Sequence, residues 1–193
     1  MGNKILILPS WLDSGPTHWQ SHWERQHGYE RVVQHDWQRP LRGDWVTRLE
    51  EAILAQPAEQ PVVLVAHSLG CHLVAAWAAL SRHTARVRGA LLVAPPDLAQ
   101  AGFPAELHSW RRFEGARLPF AAICITSSND PVDQVQAGAG MAAAWGARHV
   151  PAGALGHING DSGLGAWEDG HRQLPGLLQQ GANHGQANAQ LQD

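Results

Sequence analysis

Apolar residues in this chain fall into two patterns. The first is the short unbroken run: Ile5–Leu8, Val62–Ala66, Val87–Ala94 and Pro119–Thr126 are rich in Val, Ile, Leu and Ala, which suits strands buried on both faces. The second is recurrence every three or four residues. Trp19 and Trp23 mark a helix from His18 to about His27 with Thr17 as its expected cap. Val46, Leu49 and Ile53 mark another through Ala55 capped by Asp44, and Leu69, Leu73, Ala76 and Trp77 a third. Further helices are predicted over Val135–Trp145 and Ala166–Gln179, and short strands over Arg31–His35 and Gly146–Val150. Strands alternating with helices predict an α/β fold, with about six strands in a mostly parallel sheet, helices on both faces and right-handed crossovers. The segment Leu98–Glu114, interrupted by Gly102 and Pro104 and followed by Gly115, has weak periodicity and predicts a broken helix or small cap.

Composition narrows the class. At 193 residues, 44% apolar and 16% charged, the chain is globular and long enough for a substantial core. No composition shift divides residues 1–180, which are expected to form one domain. The segment 181–193, GANHGQANAQLQD, has almost no apolar content and is expected to be a disordered tail. A net charge of -3 gives no reason to expect nucleic acid or an anionic membrane, and no apolar run approaches a membrane span. The opening MGNKILILPSW has one Lys and an apolar run stopped at Pro9, which reads as a first strand and not a signal peptide. Two distant cysteines in apolar elements, Cys71 and Cys124, are expected as buried reduced thiols, which suits the cytoplasm. No cofactor is expected, and no metal either, because no H-E-x-x-H or comparable ligand spacing occurs.

In open parallel sheets ligands bind beyond the carboxyl ends of the strands, so the chemistry is sought after Leu8, Ala66, Ala94, Thr126 and Val150. Ala66-His67-Ser68-Leu69-Gly70 carries a strand into a helix through one small polar residue. Such a turn holds a Ser hydroxyl above the sheet beside free helix N–H groups, the chemistry of a nucleophile elbow, with Ala66 replacing the usual first glycine. Taken alone, the pentapeptide also fits an ordinary connection in which Ser68 only caps a helix. Ser needs a general base, and the base an orienting acid. Asp130 follows the strand ending at Thr126, with Asp133 a second candidate for the acid. The helix after it descends roughly 15 to 20 Å and the last strand climbs about as far back at ~3.3 Å per residue. His157, in a Gly-flanked loop, therefore returns to the edge that carries Ser68. His67 is expected to point away from the nucleophile and support the turn or pocket, and His72 to be core or a support. Cys71 lies in the helix and is not a candidate nucleophile.

Ile7-Leu8-Pro9-Ser10-Trp11, His18-Trp19, Ala66 to Gly70, Asp130-Pro131 and Gly156-His157-Ile158-Asn159 stand in register over residues 4–178. As a set they resemble the small serine hydrolases grouped with retinoblastoma-binding protein 9 and its bacterial relatives. The resemblance implies a compact α/β-hydrolase without a large lid, with Ser68 as nucleophile, Asp130 as acid and His157 as base. The substrate class expected is a small ester, amide or thioester, with no nucleic acid and no membrane insertion. The oxyanion is expected on the backbone N–H of Leu69 and one from the first loop, Trp11 before Ser10. Ser10, His67, Phe103 and Trp110 are candidate pocket residues, and Trp11 and Trp37 join Phe103 and Trp110 as candidates for its apolar lining. The Leu-x-Cys-x-Glu motif by which the human relative binds a pocket protein is absent, so that partner is not expected. A binding or scaffold protein with an intact but little-used triad is the competing class.

Overall fold

A computed structural model describes residues 2–100, 102–133 and 136–179; the expected tail at 181–193 lies outside them. Six strands, β1 (Lys4–Leu8), β2 (Glu30–Arg31), β3 (Val62–His67), β4 (Val87–Val93), β5 (Ala121–Thr126) and β6 (Arg148–Pro151), form one sheet in the order β2-β1-β3-β4-β5-β6. Every pairing is parallel. β3 lies between β1 and β4 and is buried along its whole length, as the unbroken run VVLVA requires of a strand covered on both faces.

Period-two alternation divides the core. Leu6, Leu8, Leu64, Ala66, Leu92 and Cys124 join one cluster with Leu49, Ile53, Leu73 and Trp77, from α2 (Arg42–Leu54) and α3 (Leu69–Leu80). The same cluster takes in Met141 and Trp145 of α4 (Gly138–Trp145). Ile7, Val63, Val65, Leu91 and Ile123 face the other way, against Trp19 and Trp23 of α1 (Trp19–His27) and against Trp167, Leu174 and Leu177. Each face buries its own apolar set, so the sheet has helices on both sides and its active edge is left to the loops.

Several boundaries differ from expectation. α1 is capped by buried His18, whose Nδ1 accepts from the Gln20 N–H at 3.1 Å, while Thr17 is exposed. α2 begins earlier than Asp44: Leu41 is its cap, and the Arg42 N–H donates to Ser109 Oγ at 3.1 Å. Asp44 lies in the first turn instead, where its charge favours the helix dipole. β2 ends after two paired residues. α4 starts at Gly138, Val135 itself lying outside the described residues. The last helix is broken at Arg172 into α5 (Glu168–His171) and a helical stretch at 173–179. Among its described residues, the weakly periodic segment between β4 and β5 contains one 3-10 stretch, Ala105–Trp110, and no large lid.

Candidate active site

Ser68 follows directly on β3 and precedes α3, with φ +54° and ψ −120°. That conformation is costly for a residue with a side chain, on the order of 1–3 kcal/mol, and such strain concentrates at functional sites. Two features hold it: the Ser68 N–H donates to the Val93 carbonyl at 2.8 Å, and the Cys71 N–H to the Ser68 carbonyl at 2.9 Å. Gly70 lets the chain pass. A Cβ there would lie 2.5 Å from the Leu8 carbonyl oxygen and 3.1 Å from that of Pro9, so the first loop is in backbone contact with the start of α3.

The Ser68 hydroxyl donates to His157 Nε2 at 2.8 Å, and His157 Nδ1–H donates to Asp130 Oδ2 and Oδ1 at 2.9 and 3.0 Å. The Asp130 side chain is only 2% exposed, against 16% for His157, so the acid is shielded while the base opens to the cleft. This is the Ser-His-Asp arrangement: the acid fixes the imidazole with its proton on Nδ1, leaving Nε2 free to take the Ser proton. Asp133, the other candidate acid, instead accepts the Ala137 and Gly138 N–H groups at 2.7 and 3.0 Å, next to the start of α4. Its burial raises its pKa, partly offset by those bonds.

The loops that carry acid and base are sewn together by groups without an obvious sequence signal. Asn129 Oδ1 accepts from Ser127 Oγ at 2.9 Å and from the Gly156 N–H at 2.7 Å, and Ser127 Oγ accepts the Leu155 N–H at 2.9 Å. Beyond His157, Ser162 Oγ donates to the Leu155 carbonyl at 2.7 Å, and Asn159 forms a capping box with it. The only hint in the sequence is the density of Ser and Asn in the two loops; the bonds that join one loop to the other, from the Leu155 and Gly156 N–H groups, span 28 and 27 residues.

At the end of β3 the Leu69 N–H reaches Ser10 Oγ at 3.3 Å. The Trp11 N–H, in the adjacent loop, has no acceptor among the described residues. His67 is 2% exposed and falls with Val63 and Val65 on the α1 side of the sheet. It packs against His157 with ring centroids 4.9 Å apart. Burial, with His157 and His18 beside it, holds its pKa well below the usual histidine range. His72 is buried in α3 and donates from Nε2 to the Pro96 carbonyl at 2.9 Å; burial lowers its pKa to about 4. Burial likewise pushes the Cys71 thiol far up and Cys124 to about 12, so neither is a ready thiolate.

A cleft of about 600 Å³ opens over Ser68 and His157. Its lining includes apolar Phe103, Pro104, Leu107 and Val132 and polar Thr17, Asn159 and Asp161. Of the expected pocket residues, Ser10, Trp11, His67 and Phe103 line this cleft. Trp110 does not. It is 1% exposed, packs edge-on against Trp45 and donates from Nε1 to the Pro40 carbonyl at 2.8 Å; the 3-10 turn directs Leu107 at the cleft and Trp110 at the core. Trp37 packs on Trp45 in the same cluster, away from the cleft. Among the described residues no group of three or more His, Cys, Asp or Glu is placed to hold a metal ion, and no helix is long and apolar enough to cross a membrane.

Solved structures share this architecture. A protein described as a YdeN-like hydrolase from Pectobacterium atrosepticum is 28% identical, with 92% of this chain and 91% of that one covered and a TM-score of 0.79. The ydeN gene product of B. subtilis is 18% identical over 92% of this chain and 99% of its own, with a TM-score of 0.73. Est1E from Butyrivibrio proteoclasticus has the same fold at 10% identity, 94% and 90% coverage and a TM-score of 0.70. No match was found among curated proteins. The serine hydrolase family model matches residues 5–176, and with Ser68, His157 and Asp130 joined as described, the chain belongs to the serine hydrolase family.

Proposed function

We propose that this serine hydrolase cleaves small carboxylic esters through an acyl-enzyme on Ser68. The observation that carries the proposal is the pair of bonds at His157, 2.8 Å to Ser68 and 2.9 Å to Asp130, at the floor of an open cleft. His157 Nε2 takes the hydroxyl proton as Ser68 Oγ attacks the substrate carbonyl, and Asp130 stabilises the imidazolium. The oxyanion forms against the Leu69 and Trp11 N–H groups, Ser10 Oγ ceding its place on the Leu69 N–H. His157 then gives its proton to the departing alcohol, and water, activated by the same imidazole, releases the acid.

Because the leaving group must face the proton donor, it lies toward His157 and the polar residues Thr17, Asn159 and Asp161, and the acyl group lies along Phe103, Pro104 and Leu107. Est1E, a fold neighbour, was solved with ferulic acid bound; by analogy of fold alone a small carboxylic acid is the acyl class we favour here. Within the family, the Ser10-Trp11, His18-Trp19 and Gly156 to Asn159 segments favour the group of retinoblastoma-binding protein 9 and its bacterial relatives. Two unpaired buried cysteines favour a reducing compartment such as the cytoplasm.

A panel of p-nitrophenyl esters of increasing acyl length tests the reading. Turnover of the short members that disappears in Ser68→Ala is expected. Turnover unchanged in that variant overturns the assignment of the nucleophile, and no turnover of any ester by a correctly folded wild type favours the scaffold alternative.

A further inference from the structure

The residue after the catalytic base is strained. Ile158 is fully buried and β-branched yet has φ +48°, a conformation such residues strongly avoid. Two ring N–H groups from separate elements grip the main chain at this point. His67 Nε2 donates to the His157 carbonyl at 2.9 Å, and Trp19 Nε1 to the Ile158 carbonyl at 2.8 Å. A carbonyl can only accept, so the bond fixes the proton of His67 on Nε2 and leaves Nδ1 bare. That Nδ1 is buried without a partner among the described residues.

His18 closes the set. Its ring lies edge-on to that of His67 at 4.7 Å and beside Trp19 at 5.3 Å. Its Nδ1 accepts the Gln20 N–H as the cap of α1, so its proton is on Nε2, which is buried and has no acceptor among the described residues. Two adjacent buried histidines thus carry an Nε2–H and a bare Nδ1 without a partner among the described residues, a pairing of buried polar atoms that calls for an explanation. Around His67 stand His18 from the start of α1 and His157 from the last loop, with Arg31 acting on His18 from farther off. All three push against a positive charge on the pair, and His18 is lowered to about 3, chiefly by burial.

We propose that His67, backed by His18, is a positioning residue: its Nε2–H holds the main-chain carbonyl of His157 and, with Trp19 on the next carbonyl, sets where the catalytic imidazole stands relative to Ser68. Both rings border the cleft, but neither hydrogen-bonds Ser68 Oγ or a ring nitrogen of His157, whose partners are Ser68 and Asp130. The neutrality of the pair also matters, since a cation 4.9 Å from the His157 ring would oppose the imidazolium that forms as Ser68 attacks.

The proposal rests on Ser68 and His157 acting as nucleophile and base, and its test separates the two. The readout is the rate of labelling by a fluorophosphonate probe, which needs no natural substrate. His67→Phe, which keeps the ring and loses the donor, is expected to slow labelling by about 10- to 100-fold, the scale of a misplaced catalytic group. His67→Gln, whose amide can donate from the place of Nε2, is expected to restore the rate to within about threefold. His18→Asn, which keeps an N-cap oxygen, is expected to slow labelling less, and to add nothing in combination with His67→Phe. Equal losses in the Phe and Gln variants, or no loss in either, overturn the proposal, as does full additivity of the double variant. Should His67→Phe not fold, His67→Asn, whose amide is too short to reach the carbonyl, takes its place with the same expectation. A folded wild type that the probe does not label counts against the nucleophile and base instead.

Discussion

Asn129 Oδ1 receives the Gly156 N–H at 2.7 Å, so the residue before the catalytic acid holds the residue before the catalytic base. Asn129→Ala removes this tie and the one to Ser127. We expect kcat on a p-nitrophenyl ester to fall about tenfold with KM little changed, since the loss is in alignment and not in binding. Stability should fall by about 1–3 kcal/mol, the usual worth of the two hydrogen bonds lost. An unchanged kcat would remove Asn129 from the alignment of the triad.

Gly70 makes a different kind of prediction. A methyl group on its Cα would stand 2.5 Å from the backbone oxygen of Leu8, so Gly70→Ala must push the first loop away from α3. A loss of about 1–3 kcal/mol is expected from the overpacking, read as a lower urea midpoint. Ester hydrolysis should fall by more than the unfolded fraction accounts for, because the loop that moves carries Ser10 and Trp11. Wild-type stability in this variant would show that the contact yields freely.

Trp110 and Phe103 belong to the same connection yet should behave oppositely. Trp110→Ala empties a core position and is expected to cost about 3–5 kcal/mol. Phe103→Ala, on the cleft wall and half-buried, should leave the melting temperature within a few degrees and raise KM for longer acyl chains. Thermal unfolding and ester kinetics on both variants check this, and a destabilised Phe103→Ala with unchanged KM would reverse the two roles.

The buried histidines set an acid limit. His18 and His72 are lowered from 6.5 to about 3 and about 4, in each case first by burial. Between those values and 6.5 the unfolded chain carries protons on them that the folded protein refuses. Stability from this source is therefore full above about pH 6.5 and falls as the pH drops, by up to about 1.4 kcal/mol per pH unit for each such group. The urea midpoint at about pH 5 should be well below that at pH 7, and His72→Gln, which can still donate to Pro96, should flatten the dependence. Equal midpoints at the two pH values would mean these rings are not kept neutral.

Much of this was open to view in the amino-acid order. The β-branched run Val62–Ala66 suits a strand covered on both faces, and the return of His157 to the edge of Ser68 follows from one helix and one strand of similar rise. The alternation that buries Val63 and Val65 on the α1 face also puts His67 there, although its place under His157 depends on a loop whose path has no periodic pattern. The rest depended on contacts that leave no local trace. His18 caps α1 because its ring is buried by α1 and β3, overriding the better intrinsic cap at Thr17. Trp110 turns inward because a 3-10 stretch, which periodicity did not disclose, faces it toward Trp45 and Pro40. Asn129 shows its role only when the loop 27 residues on folds against it.

Covalent modification reports on the nucleophile with no substrate to be guessed. After reaction with a fluorophosphonate probe, peptide mass spectrometry should find one adduct, on Ser68, in the wild type, with none in Ser68→Ala and strongly slowed formation in His157→Ala. An adduct on another residue, or equal labelling of Ser68→Ala, would contradict Ser68 as the nucleophile.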